Sequence, residues 1–340
     1  MSISIVIATY NSSRTIKRCL QSISAQIYPQ NKIEIIVADG GSTDDTLEIA
    51  RQFGAKIISV DPHKQNAEYN KSIGIQEARN EILLMLDHDN VLPHSRWLTN
   101  LVQPLLAHQD VIGVETLRYH YDPTTTILDR YFALFGAGDP LVWYLGRADR
   151  LSYIYDHYTL AGTATDYGSY YLVRFSPDFI PTVGANGFLV RRKILMKYAQ
   201  AAPGKYFDID VNADLIRNGF NTYAFVKDSV LHLTGYGNVW NFLKRRMLFL
   251  SQYRFGGKGL ALKKVRRYGG LSSKDFLRLA WAVLVCLTFV IPLYHSFCGW
   301  RKIHDKAWFL HPILCFGFVV IYSWVIIRHQ FRVYVQKILG

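Results

Sequence analysis

At 340 residues, half of them hydrophobic and 19% charged, the chain can form one large domain or two ordinary ones and is too apolar to be disordered. Four scattered cysteines (Cys19, Cys286, Cys298, Cys315) exclude a disulfide framework and a Cys-x-x-Cys zinc site, and point to a reducing compartment. The net charge of +13 suggests a nucleic-acid binder, but residues 1–239 carry 22 Lys/Arg against 24 Asp/Glu. The excess lies in the last hundred residues, so no nucleic acid is expected as a partner.

The N-terminus, Met1-Ser2-Ile3-Ser4-Ile5, lacks a basic stretch before an apolar run, so no cleaved signal is expected. Ser4–Ala8 reads as a strand ending in Thr9-Tyr10-Asn11-Ser12-Ser13, a cluster suited to start the amphipathic helix Ile16–Ala25. A second strand, Ile33–Ala38, ends in Asp39-Gly40-Gly41 and leads to a helix at Thr46–Phe53 and a third strand at Lys56–Val60. A helix at Ala67–Ala78 precedes a fourth strand, Ile82–Leu86, which ends in Asp87-His88-Asp89.

Strands alternating with helices predict a mainly parallel sheet in an α/β fold. Ligands bind such sheets beyond the carboxyl ends of the strands, where Thr9–Asn11, Asp39–Gly41 and Asp87–Asp89 all fall. Asp87 and Asp89 stand at i and i+2. In extended backbone they point the same way and can share a hard divalent cation. No P-loop and no Gly-x-Gly-x-x-Gly follows the first strand, which disfavours those nucleotide motifs.

Residues 119–180 hold 15 aromatics, a density well above the chain's 14%. They read either as an acceptor-side insertion whose rings meet sugar or lipid, or as a packed helical insertion that uses Tyr in its core.

The positive charge concentrates in 236–278, where Trp240, Phe242, Met247, Leu248 and Phe249 interleave with Lys244, Arg245, Arg246 and Arg254. That pattern suits an amphipathic segment on anionic headgroups. Two uncharged runs follow, about 279–300 and 307–327, each close to the ~20 residues needed to cross a bilayer. They predict a transmembrane hairpin within 279–340, fully spanning or, given Pro292, His295, His311 and Pro312, kinked and re-entrant; the alternative is two buried core helices. Lys258, Lys263, Lys264, Arg266, Arg267, Lys274, Arg278, Arg328, Arg332 and Lys337 flank it, and Arg301, Lys302 and Lys306 lie between the runs. Both ends, and the N-terminal body, are therefore expected on the cytoplasmic side of a multi-pass cell-membrane protein.

The ordered motifs Val6-Ile7-Ala8-Thr9-Tyr10-Asn11, Val37-Ala38-Asp39-Gly40-Gly41-Ser42-Thr43-Asp44-Asp45, Leu86-Asp87-His88-Asp89-Asn90 and Gly184-Ala185-Asn186-Gly187-Phe188 resemble the family 2 glycosyltransferases, across roughly residues 1–235. The resemblance implies a GT-A nucleotide-sugar fold and inverting transfer of a sugar from a nucleotide donor, with uridine diphosphate the expected carrier. It implies that Thr9, Tyr10, Asn11, Asp39 and Asp87 hold the nucleotide, that Asp87, Asp89 and His232 hold the metal, Mg2+ or Mn2+, and that Gly184, Ala185, Asn186 and Gly187 face the acceptor. The general base is implied at Asp208 or Asp210; Phe207 stands where the family has Glu. With the membrane signals, the expected acceptor is a lipid-linked saccharide or glycolipid. Alternatives are transfer to a polyprenyl phosphate and a non-catalytic scaffold on the same fold. Gln252-Tyr253-Arg254-Phe255 is only a poor echo of the Gln-x-x-Arg-Trp motif of processive synthases.

Overall fold

The computed structural model describes residues 1–180, 182–251 and 273–339. They divide into two units. The first comprises Met1–Asp122, Asp149–Leu151 and His157–Thr234, and the second Pro123–Ala148, Ser152–Asp156 and Gly235–Gly340.

The first unit is a sheet covered by helices. β1 (Ile3–Thr9) is buried at all seven positions, as a central strand covered on both faces must be. α1 (Ser13–Ser24) buries Ile16, Cys19, Leu20 and Ile23, one apolar stripe at helical spacing. β2 (Ile33–Asp39), α2 (Thr46–Gln52), β3 (Lys56–Ser59), α3 (Ala67–Glu77) and β4 (Ile82–Met85) follow within a residue or two of the expected bounds. β3, β2, β1 and β4 lie side by side and parallel, Thr9 opposite Asp39, so the three polar clusters converge at one end of the sheet.

Beyond β4 the expected parallel order gives way to a mixed sheet. The chain continues through β5 (Asn90–Val91), α4 (Trp97–Ala107), β6 (Gly113–Tyr119), β7 (Thr163–Asp166), β8 (Tyr170–Arg174), β9 (Phe188–Arg191), α7 (Arg192–Tyr198), α8 (Asp208–Arg217) and β10 (Thr222–His232). β9 enters between β4 and β6, antiparallel to both. The reason is local: the Gly187 N–H donates to Met85 O at 2.9 Å, so β9 starts where β4 ends and must run back. β10 then pairs parallel to β6, and its far end pairs with β5, setting His232 opposite Asn90.

The second unit holds α5 (Ile127–Phe135) and α6 (Pro140–Tyr144), from the aromatic-rich stretch, together with α9 (Val239–Leu250), α10 (Ser273–Thr288), α11 (Val290–Lys302), a 3-10 turn at Lys306–Phe309 and α12 (Leu310–Leu339). Leu141, Leu145, Ala282, Cys286, Cys315 and Val319 form one buried cluster within it.

Of the expected pair of membrane spans, the first is a bent helix pair and the second a single long helix. Phe289 adopts a left-handed conformation (φ 60°), and the helices on either side of it are bent by 74°. Among the described residues only Lys306–Gln336 is one helix long and apolar enough to cross a membrane, and 44% of its apolar stretch is already buried. Hydropathy registers composition; it does not register that these apolar faces are partly consumed by α6. α9 is amphipathic as expected, burying Phe242 and Leu243 while Lys244 and Arg245 are exposed. Gln252–Phe255, Lys258, Lys263, Lys264, Arg266 and Arg267, and the side chains of Lys274 and Lys337, lie outside the described residues.

Candidate active site

At the end of β1, the Thr9 hydroxyl donates to Asp39 Oδ1 at 2.9 Å, and the Ser42 hydroxyl donates to the same oxygen. Asp39 Oδ2 accepts the N–H groups of Gly41 (2.9 Å) and Ser42 (2.8 Å). The four acceptor positions of this buried carboxylate are thus filled by Thr9 and by its own loop. Asn11, at φ 49°, accepts from the Thr43 N–H at 2.8 Å and ties the two loops together. Tyr10 is half exposed beside them, an available ring face.

Asp87-His88-Asp89 differs from the extended geometry expected. The Asn90 N–H donates to Asp87 O (2.9 Å), and Asn90 Oδ1 accepts from the Asp87 N–H (3.1 Å), closing a tight turn. The two carboxylates therefore take different partners. Asp87 Oδ1 pairs with Lys71 Nζ at 3.0 Å, and Asp89 Oδ2 lies 3.5 Å from His232 Nε2. Burial disfavours charge on Asp89, but His232 and, more weakly, His88 outweigh it and hold the carboxyl below its usual range. Among the described residues no group of three or more His, Cys, Asp or Glu side chains is placed to hold a metal. What remains is one carboxylate and one imidazole, both partly accessible. Such a pair suits a cation that takes its other ligands from phosphate and water.

Lys71 is the residue that unites the site. It is 3% exposed and bridges Asp87 to Asp208 Oδ2, at 2.9 Å. Burial works against its charge, but Asp208, Asp87 and Glu68 outweigh burial and keep the ammonium protonated. Asp208 is the first residue of α8; its other oxygen accepts from Tyr206 Oη. Burial, reinforced by Asp87, raises the Asp208 carboxyl above the ordinary range against the pull of Lys71. Asp210 is buried two residues along the helix. The extended residue before α8 is Phe207, so neither acid acts as the N-cap.

The Gly184–Gly187 turn packs directly on this helix start. A Cβ on Gly184, at φ 121°, would stand 2.8 Å from Asp208 O and 2.5 Å from Asn212 Nδ2. The turn is pinned from behind by a buried ion pair. Glu115 Oε1 accepts the Gly184 N–H at 2.6 Å, Glu115 also pairs with Arg150 Nη1, and Arg150 Nη2 donates to Ala185 O and Asn186 O. Asn186 in turn accepts from Asn90 Nδ2 at 3.1 Å, joining this turn to the acidic one.

Burial raises the Glu115 carboxyl to about 7 even with Arg150 beside it. Arg150 is the main group that lowers this carboxyl, so Arg150→Met should destabilise by up to ~3–5 kcal/mol at pH 8, where Glu115 must either stay charged without its cation or take up a proton that the unfolded chain lacks, and clearly less at pH 5, where it is already protonated in the fold. Urea unfolding at the two pH values measures this; equal losses would refute it.

Of the residues brought together here, the sequence motifs name Thr9, Tyr10, Asn11, Asp39, Asp87, Asp89, His232, Asp208 and the Gly184–Gly187 turn as candidates, but not Lys71, Tyr206, Glu115 or Arg150. One signal for Lys71 was available: Ala67–Glu77 has no apolar stripe, so a buried face on it must include polar groups, and Asn70, Lys71 and Ser72 are buried there.

An α/β sheet with acids gathered at the ends of its parallel strands, completed by an antiparallel strand and an acidic helix start, has the GT-A architecture of nucleotide-sugar transferases. The profile described as glycosyl transferase family 2 matches residues 4–179, more than half of the chain, and the protein belongs to that family. Mannosyltransferase PcManGT from Pyrobaculum calidifontis, solved in complex with GDP-Man and Mn2+, shares its fold, with a TM-score of 0.51 at 16% identity over 95% of this chain and 86% of that one. The glycosyltransferase AglE of Haloferax volcanii is 33% identical over 134 residues, 38% of this chain and 43% of that protein. A Methanococcus voltae dolichyl N-acetyl-alpha-D-glucosaminyl phosphate 3-beta-D-2,3-diacetamido-2,3-dideoxy-beta-D-glucuronosyltransferase is 30% identical over 30% of this chain and 33% of its own length. The matched stretches thus span less than half of these curated relatives.

Proposed function

We propose that this protein is a membrane-bound inverting glycosyltransferase that moves a sugar from a nucleotide-sugar donor to a lipid-linked saccharide or glycolipid at the cytoplasmic membrane face. The observation that carries this reading is Lys71, which holds the acid of the Asp-x-Asp turn and the acid at the start of α8 on one ammonium group. A donor-side acid and a candidate base thereby stand at one place, next to the glycine turn that packs on the start of α8. The dolichyl-linked substrate in the name of the Methanococcus voltae relative supports a lipid-linked acceptor here.

In this reading the loops of Thr9–Asn11 and Asp39 frame the nucleotide, with Tyr10 as a stacking face. Asp89 and His232 hold Mg2+ or Mn2+, which when bound supplies positive charge to the departing diphosphate. Lys71 is the shared counter-ion of Asp87 and Asp208. Asp208, rather than Asp210, receives the proton of the acceptor hydroxyl, because it is the acid joined to the Asp-x-Asp turn through Lys71. Its raised carboxyl is suited to that task.

One observation favours a second reading. Both oxygens of Asp208 are engaged, by Lys71 and Tyr206. An acceptor that is already ionised, such as a polyprenyl phosphate, needs no base and leaves those bonds intact.

The reading is tested by thermal stabilisation with a panel of nucleotide sugars plus Mn2+, followed by transfer assays in detergent. A response to none of them, and no transfer, would leave the scaffold alternative standing. The pH profile tests the base. Transfer to a hydroxyl needs ionised Asp208, so activity should fall as pH drops through a midpoint above the ordinary carboxylate range. Lys71→Met removes the opposing cation and should move that midpoint to higher pH; an unmoved acid limb would exclude Asp208 as the titrating group.

A further inference from the structure

We infer that the second unit is a one-leaflet anchor: its helices enter the bilayer from the side of the sheet unit and stay there, so that no described residue reaches the far side. The inference rests on the membrane association proposed above and replaces the two-span hairpin with a monotopic arrangement.

Residues 123–148 and 152–156 leave the sheet unit and rejoin it through peptide bonds at Asp122–Pro123, Ala148–Asp149, Leu151–Ser152 and Asp156–His157. The helices they carry, α5 with nine residues and α6 with five, are too short to cross, since a span takes ~20. These segments therefore remain on the side of the sheet unit. Whatever is hydrogen-bonded to them remains close to that side.

The linker after α11 is bound to them. Lys302 pairs with Asp156, and Arg130 Nε donates to the buried carboxylate of Asp305 at 2.7 Å. Asp305 also accepts the Ala307 N–H at 2.7 Å, which fixes the turn into α12. Had 279–300 been a span, this linker would lie ~30 Å away, across the hydrocarbon.

The second uncharged run is tied down in the same way. His311, fully buried, hydrogen-bonds Tyr131 of α5 through Nδ1 and Tyr144 of α6 through Nε2, each at 3.0 Å. Eleven residues on, the Tyr322 hydroxyl donates to Asp139 Oδ2 at 2.8 Å. After Tyr322 only five residues precede Arg328, far short of a crossing. The bent pair α10–α11, 16 and 13 residues, makes a shallow V about 15 Å deep at 1.5 Å per residue, half of the hydrocarbon thickness.

The surface left over fits lipid. Trp281, Leu284, Val290, Phe297, Trp324 and Ile327 are exposed on these helices, and residues 279–340 contain six Lys/Arg against one acid. On α9, Trp240 and Leu248 are exposed beside Lys244 and Arg245, the mixture of a helix at headgroup depth whose cations reach up to phosphate. This apolar face with a cationic rim is complementary to an anionic leaflet.

Single cysteines test this in the full chain carrying Cys298→Ser; Cys19, Cys286 and Cys315 are buried. Glu48→Cys reports the sheet unit, Arg301→Cys the linker and Gln336→Cys the end of α12, all exposed positions. Sealed inside-out and right-side-out vesicles are treated with a membrane-impermeant maleimide after an alkaline carbonate wash. The expected result is retention in the membrane and labelling of all three sites in one vesicle orientation only. Labelling of Arg301→Cys or Gln336→Cys in the orientation opposite to Glu48→Cys overturns the one-leaflet arrangement but leaves membrane association intact. Release by the wash overturns both.

Discussion

Asp208→Asn is expected to slow transfer to a hydroxyl acceptor by ~10²–10⁴ in kcat while leaving donor-induced thermal stabilisation in place. The substitution keeps the volume and the hydrogen bond from Tyr206 but removes the one carboxylate that both touches Lys71 and opens α8. Lys71 retains Asp87 as its counter-ion, so the acidic turn keeps its charge balance. Asp210→Asn, two residues into the helix, should have the smaller effect. The comparison also separates the two acceptor classes: with a lipid phosphate as acceptor, Asp208→Asn should lower the rate only modestly. Reversal of the order, Asp210→Asn being the more damaging, would move the base to Asp210.

Asp89→Ala should abolish the Mn2+-dependent part of donor binding. At a donor concentration 100-fold above Kd, binding contributes ~2.7 kcal/mol to stability, and that increment should vanish in the variant with cation present. The neighbouring His232 keeps Asp89 ionised in spite of burial, so at neutral pH the wild-type carboxylate is ready for a cation. Without it His232 alone is a weak ligand. Melting with and without a chelator measures the difference, and an undiminished Mn2+ response in Asp89→Ala would remove the assignment. His232→Ala should weaken the response without eliminating it, since the carboxylate provides the charge.

The part of the fold nearest the N-terminus was legible because its signals are local. Ile3–Thr9, Ile33–Asp39 and Ile82–Met85 are short apolar runs, each stopped by a polar cluster, and the helices between them follow capping residues or an apolar stripe. The second half of the sheet was not, because β9 finds its neighbours across about a hundred residues and its direction follows from where the Gly184–Gly187 turn is pinned. Spacing misled at Asp87 and Asp89: two carboxylates at i and i+2 converge only in extended backbone, and Asn90 closes a turn there instead. The membrane signals are less decisive for a related reason. Uncharged length measures the cost of leaving water, whereas a helix such as α12 can meet that cost by packing on α6 as well as by entering lipid.

Sequence alone determined the family and the α/β class, because both are written in contiguous motifs whose chemistry survives any arrangement of the rest. Tertiary structure alone decided which acids share a cation. Lys71, Asp87 and Asp208 are separated by up to 137 residues, and only the closing of the sheet brings one ammonium between two carboxylates. It also decided that the linker after α11 is tied to the aromatic-rich segment, through the Lys302–Asp156 and Asp305–Arg130 ion pairs.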